Sequence, residues 1–435
     1  MLKALASWDF DPADRLGGGG YAQVYRCHAP DQPENACAIK VFNNPTYVNT
    51  LKKEVRALQT MSACPGAVQL LDFGRRFDGR LCIVTDLVPG TRLDQHVAKF
   101  GPLNLVQTLA LGRQLLAVMS CAHAKGLLHK DINPANILLQ DQQASLIDWG
   151  VSEPRGNGRA EIVLAMNDYC APEFFNGTHD FASDFYALAW VLVFAMTGTR
   201  PYHFGTEKDR AYRVAAHALE RPELPQDIPP ALRRLLSSWL SKDPQQRHMG
   251  YDLDALLNHC PTPQASVWTS LDYRQLRYEC SYWHQAARHG VLYAQLRYAE
   301  QLLAQPDRTT EAIYWLEQAH AKGYVTATYR LARVLEGQRG ADQTLVHSLY
   351  LQAAQAGDFK AQYMLAMALL QPKNGARNLL DAQHWLRLSA NASYAQSQFE
   401  LAQLLKNELQ QPQEADLYFA MALERGWPKP TSPVA

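Results

Sequence analysis

His129-Lys130-Asp131-Ile132-Asn133-Pro134-Ala135-Asn136, followed twelve residues after that asparagine by Asp148-Trp149-Gly150, is the stretch on which the reading of this chain turns. Asp131 is an acid placed to take or orient a hydroxyl proton. Asn136 and Asp148 add an amide and a second carboxylate. These are hard oxygen donors, suited to a hard cation that also touches phosphate. His129 reads as a core histidine rather than a catalyst.

Working outward, further landmarks fall in a fixed order. Leu16-Gly17-Gly18-Gly19-Gly20-Tyr21-Ala22-Gln23-Val24 is a glycine-rich turn whose backbone N–H groups can lie close to phosphate oxygens. Ala38-Ile39-Lys40 puts a cation on a strand. Glu54 follows within a helix at Leu51 to Met61, whose apolar Leu51, Val55, Leu58 and Met61 keep helical spacing. Ile83-Val84-Thr85-Asp86-Leu87-Val88-Pro89-Gly90 is a strand running into a turn. Downstream come Ala171-Pro172-Glu173, then Ser183-Asp184-Phe185-Tyr186 opening an apolar helix at 184–197, then Asp243-Pro244-Gln245-Gln246-Arg247.

Over residues 15–250 this series resembles the protein-kinase family. The resemblance implies an α+β bilobal fold spanning 8–260, with a small lobe over 8–86 and a large lobe over 90–260. It implies that Lys40 pairs with Glu54 and faces the α/β-phosphates, with Leu58 packing behind against Trp149. ATP is then the implied cofactor, with magnesium, or manganese in its place, held by Asn136 and Asp148. Nucleotide contacts are implied at Leu16, Gly17, Gly18, Gly19, Gly20, Tyr21, Ala22, Val24, Ala38, Lys40, Thr85, Asp86, Val88, Asn136, Leu138 and Asp148, with Thr85 as a small gatekeeper before the hinge. Asp131 is the implied base, Lys40, Glu54 and Asn133 its catalytic companions, and Arg247 the partner of Glu173.

Three departures stand out. Lys130 replaces the family's usual arginine. Between Asp148 and Glu173 the only hydroxyl side chains are Ser152 and Tyr169, so no mid-loop threonine is open to activating phosphorylation. Such a kinase is constitutively ordered or switched by a partner. Asn133 stands where the family carries a lysine, and Met166 where it carries that lysine's companion threonine. One lost charge-assisted hydrogen bond costs roughly 1.5–3 kcal/mol, about 10–150-fold in rate. Asn133 keeps an amide donor, so the lower half of that range is expected. Arg92, just past the hinge, lies near a position where kinases preferring basic peptides carry an acid, so no preference for arginine-rich substrates is expected.

The chain has 435 residues, 47% hydrophobic and 19% charged, with zero formal net charge, and a pI of about 7.2. Neutrality removes bulk attraction to nucleic acid. Eight cysteines include no C-x-x-C pair, so no zinc site or redox dithiol is indicated, and scattered thiols fit a reducing cytoplasm. The start lacks the apolar core of a secretion signal, and the run Ala187 to Met196 is too short to span a bilayer. The expectation is a bacterial, cytoplasmic protein without a membrane span, delivery into another cell being left open.

A proline-broken linker is expected at 261–270. Residues 271–435 then read as an all-α solenoid. Gly290-x-x-x-Ala294, Gly323-x-x-x-Ala327, Gly357-x-x-x-Ala361 and Asn391-x-x-x-Ala395 recur at steps of 33, 34 and 34. Small residues let paired helices approach, and each pair buries its other face only on the next. Over about 275–427 the repeats resemble Sel1-like units, relatives of tetratricopeptide arrays, which implies a protein partner. Two readings of the whole chain follow: a Ser/Thr protein kinase whose repeats recruit substrate or regulator, or a pseudokinase adaptor working through nucleotide binding and the repeats. A kinase fold acting on small molecules fits less well, because Ala171-Pro172-Glu173, Asp184 and Arg247 resemble protein kinases in particular.

Overall fold

Alternation along Cys37-Ala38-Ile39-Lys40-Val41 sends Cys37, Ile39 and Val41 to one face of a strand and Ala38 and Lys40 to the other. In the computed structural model the first three pack with Trp8, Cys27, Cys82 and Val84 in a core of their own. Lys40 is left facing the cleft below. The strands are β1 (Arg15–Gly18), β2 (Ala22–Ala29), β3 (Gln32–Phe42), β4 (Leu70–Arg75) and β5 (Leu81–Asp86). They form one antiparallel sheet in the order β1-β2-β3-β5-β4. Register sets Val24 and Ile83 beside Lys40 and Thr85 beside Ala38. Thus one sheet face carries the residues expected around a nucleotide.

Helix α1 (Val48–Met61) buries Leu51, Glu54, Val55, Leu58 and Met61. Glu54 therefore lies inside the apolar stripe, where a carboxylate is tolerated only with a partner.

The structure describes residues 4–5, 8, 10–18, 22–29, 32–44, 47–64, 66–154, 167–203, 210–261, 279–371, 377–423, 425 and 427. Gly19, Gly20, Tyr21, Met166 and the expected linker beyond 261 lie outside them. The chain divides into two compact units, Met1–Val291 and Leu292–Ala435.

The remainder of the first unit is built from β6 (Thr91–Arg92), α2 (Leu93–Phe100), α3 (Leu105–Ala124), β7 (Leu127–Leu128), β8 (Ile137–Gln140), β9 (Gln143–Leu146), β10 (Glu153–Pro154), α4 (Phe181–Thr197), α5 (Arg210–Leu219), α6 (Pro230–Trp239), α7 (Leu253–His259) and α8 (Glu279–Arg288). The small sheet β6-β8-β9 carries the catalytic segment's flanks. Helix α4 is apolar on all sides and buried from Ala182 to Ala195. It starts earlier than its apolar run suggests, because Asp180 caps it reciprocally with Ser183. Among the described residues only α3 is long and apolar enough to cross a membrane; here Leu111, Leu115, Leu116 and Met119 bury it in the core.

The sequence reading named no cysteine pair in this unit. Cys64, just past α1, and Cys121 of α3 form a disulfide, with Cα atoms 5.9 Å apart and a sequence separation of 57. Motif spacing carries no signal for a pair brought together only by tertiary packing. Cys27, Cys37, Cys82, Cys170 and Cys260 are buried free thiols.

The second unit holds α9 (Leu292–Leu303), α10 (Thr309–Ala321), α11 (Val325–Glu336), α12 (Gln343–Gln355), α13 (Phe359–Leu370), α14 (Leu379–Asn391), α15 (Ala395–Asn407) and α16 (Pro412–Leu423). Each helix packs mainly on the one before and the one after, as a solenoid requires. Helix α8, first in the expected array, belongs to the first unit and packs on α5.

The repeat anchors Gly290, Gly323 and Gly357 have φ of 83°, 73° and 95°. The fourth is a correction: the residue with φ of 70° is Ser393, not Asn391. Its N–H donates to Ala390 as that of Gly357 does to Ala354. The matching buried position is Ser397, fully buried like Ala294, Ala327 and Ala361. Matching small residues at a constant step chose the wrong pair, because serine replaces both glycine and alanine here. Ser397 Oγ donates to Ser389 Oγ at 2.6 Å, and Ser389 Oγ to the Phe359 carbonyl at 2.6 Å, so the buried hydroxyls satisfy one another.

Candidate active site

Strand β3 aims Lys40 at α1, where Nζ meets Glu54 Oε1 at 2.7 Å. The same ammonium reaches Asp148 Oδ1 at 2.8 Å. Burial works against the charge on Lys40, but the Asp148 and Glu54 carboxylates outweigh it and hold its pKa above the usual lysine value. Lys40 in turn keeps the Asp148 carboxyl below its ordinary value. Burial dominates at Glu54 and pushes its carboxyl up, with Lys40 opposing.

Asp148 has φ of 65°, in the left-handed region that few side chains adopt without support. Gly150 N donates to its Oδ1 at 3.3 Å. A Cβ at Gly150 would stand 3.1 Å from both Asp148 Oδ1 and Glu54 Oε2 and 3.4 Å from Lys40 Nζ, so glycine lets this turn close on the ion cluster. Leu58 and Trp149 lie in one core behind it, and the His129 and Trp149 rings meet at 4.5 Å. His129 Nδ1 accepts from Asp131 N, which leaves the ring hydrogen on Nε2 to reach the Ile147 carbonyl. His129 is thus a brace between two loops.

The catalytic loop hangs from Asp184 of α4, whose carboxylate accepts from His129 N and Lys130 N at 2.9 Å each and meets His123 Nε2 at 2.9 Å. Although burial acts against it, His123 and its neighbours hold that carboxyl below its ordinary value. Within the loop Asn133 Nδ2 donates to Asp131 Oδ1 at 2.9 Å, and Asn136 Nδ2 to Asp131 Oδ2 at 2.8 Å. Asn136 also donates to the Asp131 carbonyl at 2.9 Å, while its own carbonyl accepts from Ile147 N. Burial pushes the Asp131 carboxyl up, Asp148 adds to this, and His129, Asn167 and Asn136 oppose it.

The donor set fits a divalent cation. Asn136 Nδ2 is engaged by Asp131, and the Asn136 side-chain carbonyl Oδ1 accepts no hydrogen bond among the described residues. Asp148 Oδ2 carries no hydrogen bond among the described residues, and its side chain is 44% exposed. Two hard oxygens are therefore open beside an ammonium.

Sequence reasoning missed Asn167. Its Nδ2 donates to Asp131 Oδ1 through a short hydrogen bond, from the far side of the activation segment. The only signal was its place next to Met166. Among the expected contacts, Leu16 is 45% exposed on β1 and Leu138 pairs with Arg92 on β8. Asp86 holds Gln69 N with its carboxylate at 2.7 Å, and Thr85 Oγ1 donates to the Asp86 carbonyl. Arg247 grips Glu173 with two hydrogen bonds, 2.6 and 2.8 Å, and Ser183 Oγ adds a third at 2.6 Å.

The family model described as protein kinase domain matches residues 10–259, so the chain belongs to the protein kinase family. It is similar to the serine/threonine-protein kinase PknK of Mycobacterium tuberculosis, 31% identical over 52% of this chain and 22% of that protein. It also resembles PknD of the same organism, 29% identical over 54% of this chain and 37% of that protein, and PknH of Mycobacterium bovis, 30% identical over 56% and 42%. The chain spans less than half the length of these relatives. Family membership implies use of ATP and a divalent metal.

Proposed function

We propose that this chain is a protein kinase that transfers the γ-phosphate of ATP to serine or threonine hydroxyls of protein substrates. The observation that carries the reading is the closed Lys40–Glu54 pair at 2.7 Å, facing Asp148 across the cleft. Lys40 binds phosphate oxygens and Glu54 keeps it aimed. Asn136 Oδ1 and Asp148 hold magnesium, which when bound offsets charge on the phosphates and orients them. Asp131 accepts or orients the acceptor hydroxyl. Asn133 supplies a neutral amide where a cation is usual, so transfer is slower than with lysine by the lower part of about 10–150-fold.

The C-terminal helices are proposed to bind a protein, raising the local concentration of substrate or regulator. Arg92 is paired with Asp94 at 2.5 Å, which supports the expectation of no preference for arginine-rich peptides. The test is transfer from labelled ATP to the chain itself or to a generic protein. Transfer that Asp131→Ala abolishes supports the enzyme. Tight magnesium-ATP binding without transfer supports the adaptor reading instead.

A further inference from the structure

Asp131 receives three side-chain amides. Asn133 and Asn167 both donate to Oδ1, and Asn136 donates to Oδ2. None of the two new donors can flip without loss: Asn133 Oδ1 accepts from Ala135 N at 2.9 Å, and Asn167 Oδ1 from Tyr169 N at 2.6 Å. Each backbone N–H therefore fixes its amide with the NH2 group toward the carboxylate. A carboxylate oxygen offers about two lone-pair directions. Oδ1 has both filled, whereas Oδ2 keeps one for an incoming hydroxyl.

Asn167 is itself held from behind. The Asp168 carbonyl meets His217 Nε2 at 3.1 Å, and the Asp168 carboxylate meets Arg213 at 3.0 Å and Arg200 at 3.5 Å. The two hydroxyl side chains of the segment, Ser152 and Tyr169, are buried. Asn167 and Asp168 are thus anchored by charge and amide contacts that need no phosphate.

We propose that Asn167 is a positioning residue for phosphoryl transfer: it shares Asp131 Oδ1 with Asn133, turns Oδ2 toward the substrate hydroxyl, and ties the Asn167–Tyr169 stretch to the base without phosphorylation. This role rests on the kinase reading above. Asn133 stands at the family's lysine position, and the second donor, Asn167, lies one residue along the chain from Met166.

The test uses the full chain and the isosteric Asn167→Asp, which swaps the donor for an oxygen, together with Asn167→Ser as a milder change. The expected result is a fall in kcat of about 10–150-fold for Asn167→Asp, with KM for ATP and magnesium-ATP binding stoichiometry within about twofold, and a smaller fall for Asn167→Ser. An unchanged kcat, or a loss confined to peptide KM, would overturn the role. Absence of transfer by the unaltered chain overturns the kinase reading, and this role with it.

Discussion

Glu54 shows how one residue can report a site before any geometry is known. It is a carboxylate at the centre of the buried face of α1, 4% exposed, and its position makes sense only with a cation opposite. Lys40 is that cation. Lys40→Met is expected to lower the rate of transfer by about 10–150-fold, the worth of a charge-assisted contact to phosphate, and leaves Glu54 buried alone. Steady-state kinetics checks the first effect, and a lower melting temperature at neutral pH the second. Gly150→Ala makes a different point. Its Cβ would stand 3.1 Å from two carboxylate oxygens, so Asp148 and Glu54 must shift, and kcat should fall while the melting temperature changes little. The residues of this ion cluster were legible in the sequence because each is a charge or amide at a family spacing. Asn167 was not, because the donor moved to a position where the family pattern carries no polar requirement.

At the level of elements, the activation segment is tied to the large lobe by a relay of hydroxyls. Lys242 Nζ donates to Tyr202 OH at 2.5 Å, Tyr202 meets Tyr186 OH at 3.1 Å, and Tyr186 OH meets His217 Nδ1 at 2.9 Å. His217 Nε2 then donates to the Asp168 carbonyl. Burial, reinforced by Lys242, holds the His217 pKa well below its ordinary value of 6.5. The unfolded chain then binds the extra proton first, so stability is present above about pH 6.5 and is lost as pH falls below it. Glu220, pushed up to about 7 by burial, gives the opposite slope between its ordinary value of 4.5 and 7. The expected outcome is therefore a difference: His217→Gln loses less stability than the parent between about pH 6.5 and 5, seen in melting temperatures against pH. Equal slopes would contradict it. In the solenoid, Ser393 has a left-handed backbone that costs a non-glycine residue roughly 1 kcal/mol. Ser393→Gly should stabilise the second unit by up to about that amount, less the added freedom of the unfolded chain, in denaturant unfolding. The helices themselves were legible from period and aromatic–alanine faces. The fourth anchor was misread because Ser393 and Ser397 stand where glycine and alanine were sought, the buried Ser397 hydroxyl being satisfied by Ser389.

For the whole molecule, fold class followed from the order of landmarks, since each requires a particular strand, turn or helix end to present it. The Cys64–Cys121 bond could not be read that way. It joins the end of α1 to α3, and so couples the helix bearing Glu54 to the large lobe. Loop-closure entropy for such a separation gives an upper value of about 4 kcal/mol. Reduction, or Cys121→Ser, should lower the melting temperature, and the loss should be absent when the Ser variant is compared with and without reductant. The account as a whole depends on one convergence: Lys40, Asp131, Asn136 and Asp148 around a metal-bound triphosphate. The direct measurement is a crystal structure of the chain with magnesium and a non-hydrolysable ATP analogue. The account predicts metal density about 2.1 Å from Asn136 Oδ1 and an Asp148 carboxylate oxygen, with Lys40 Nζ on the α/β-phosphates. A nucleotide bound elsewhere, or a metal that avoids both side chains at saturating analogue, would contradict it.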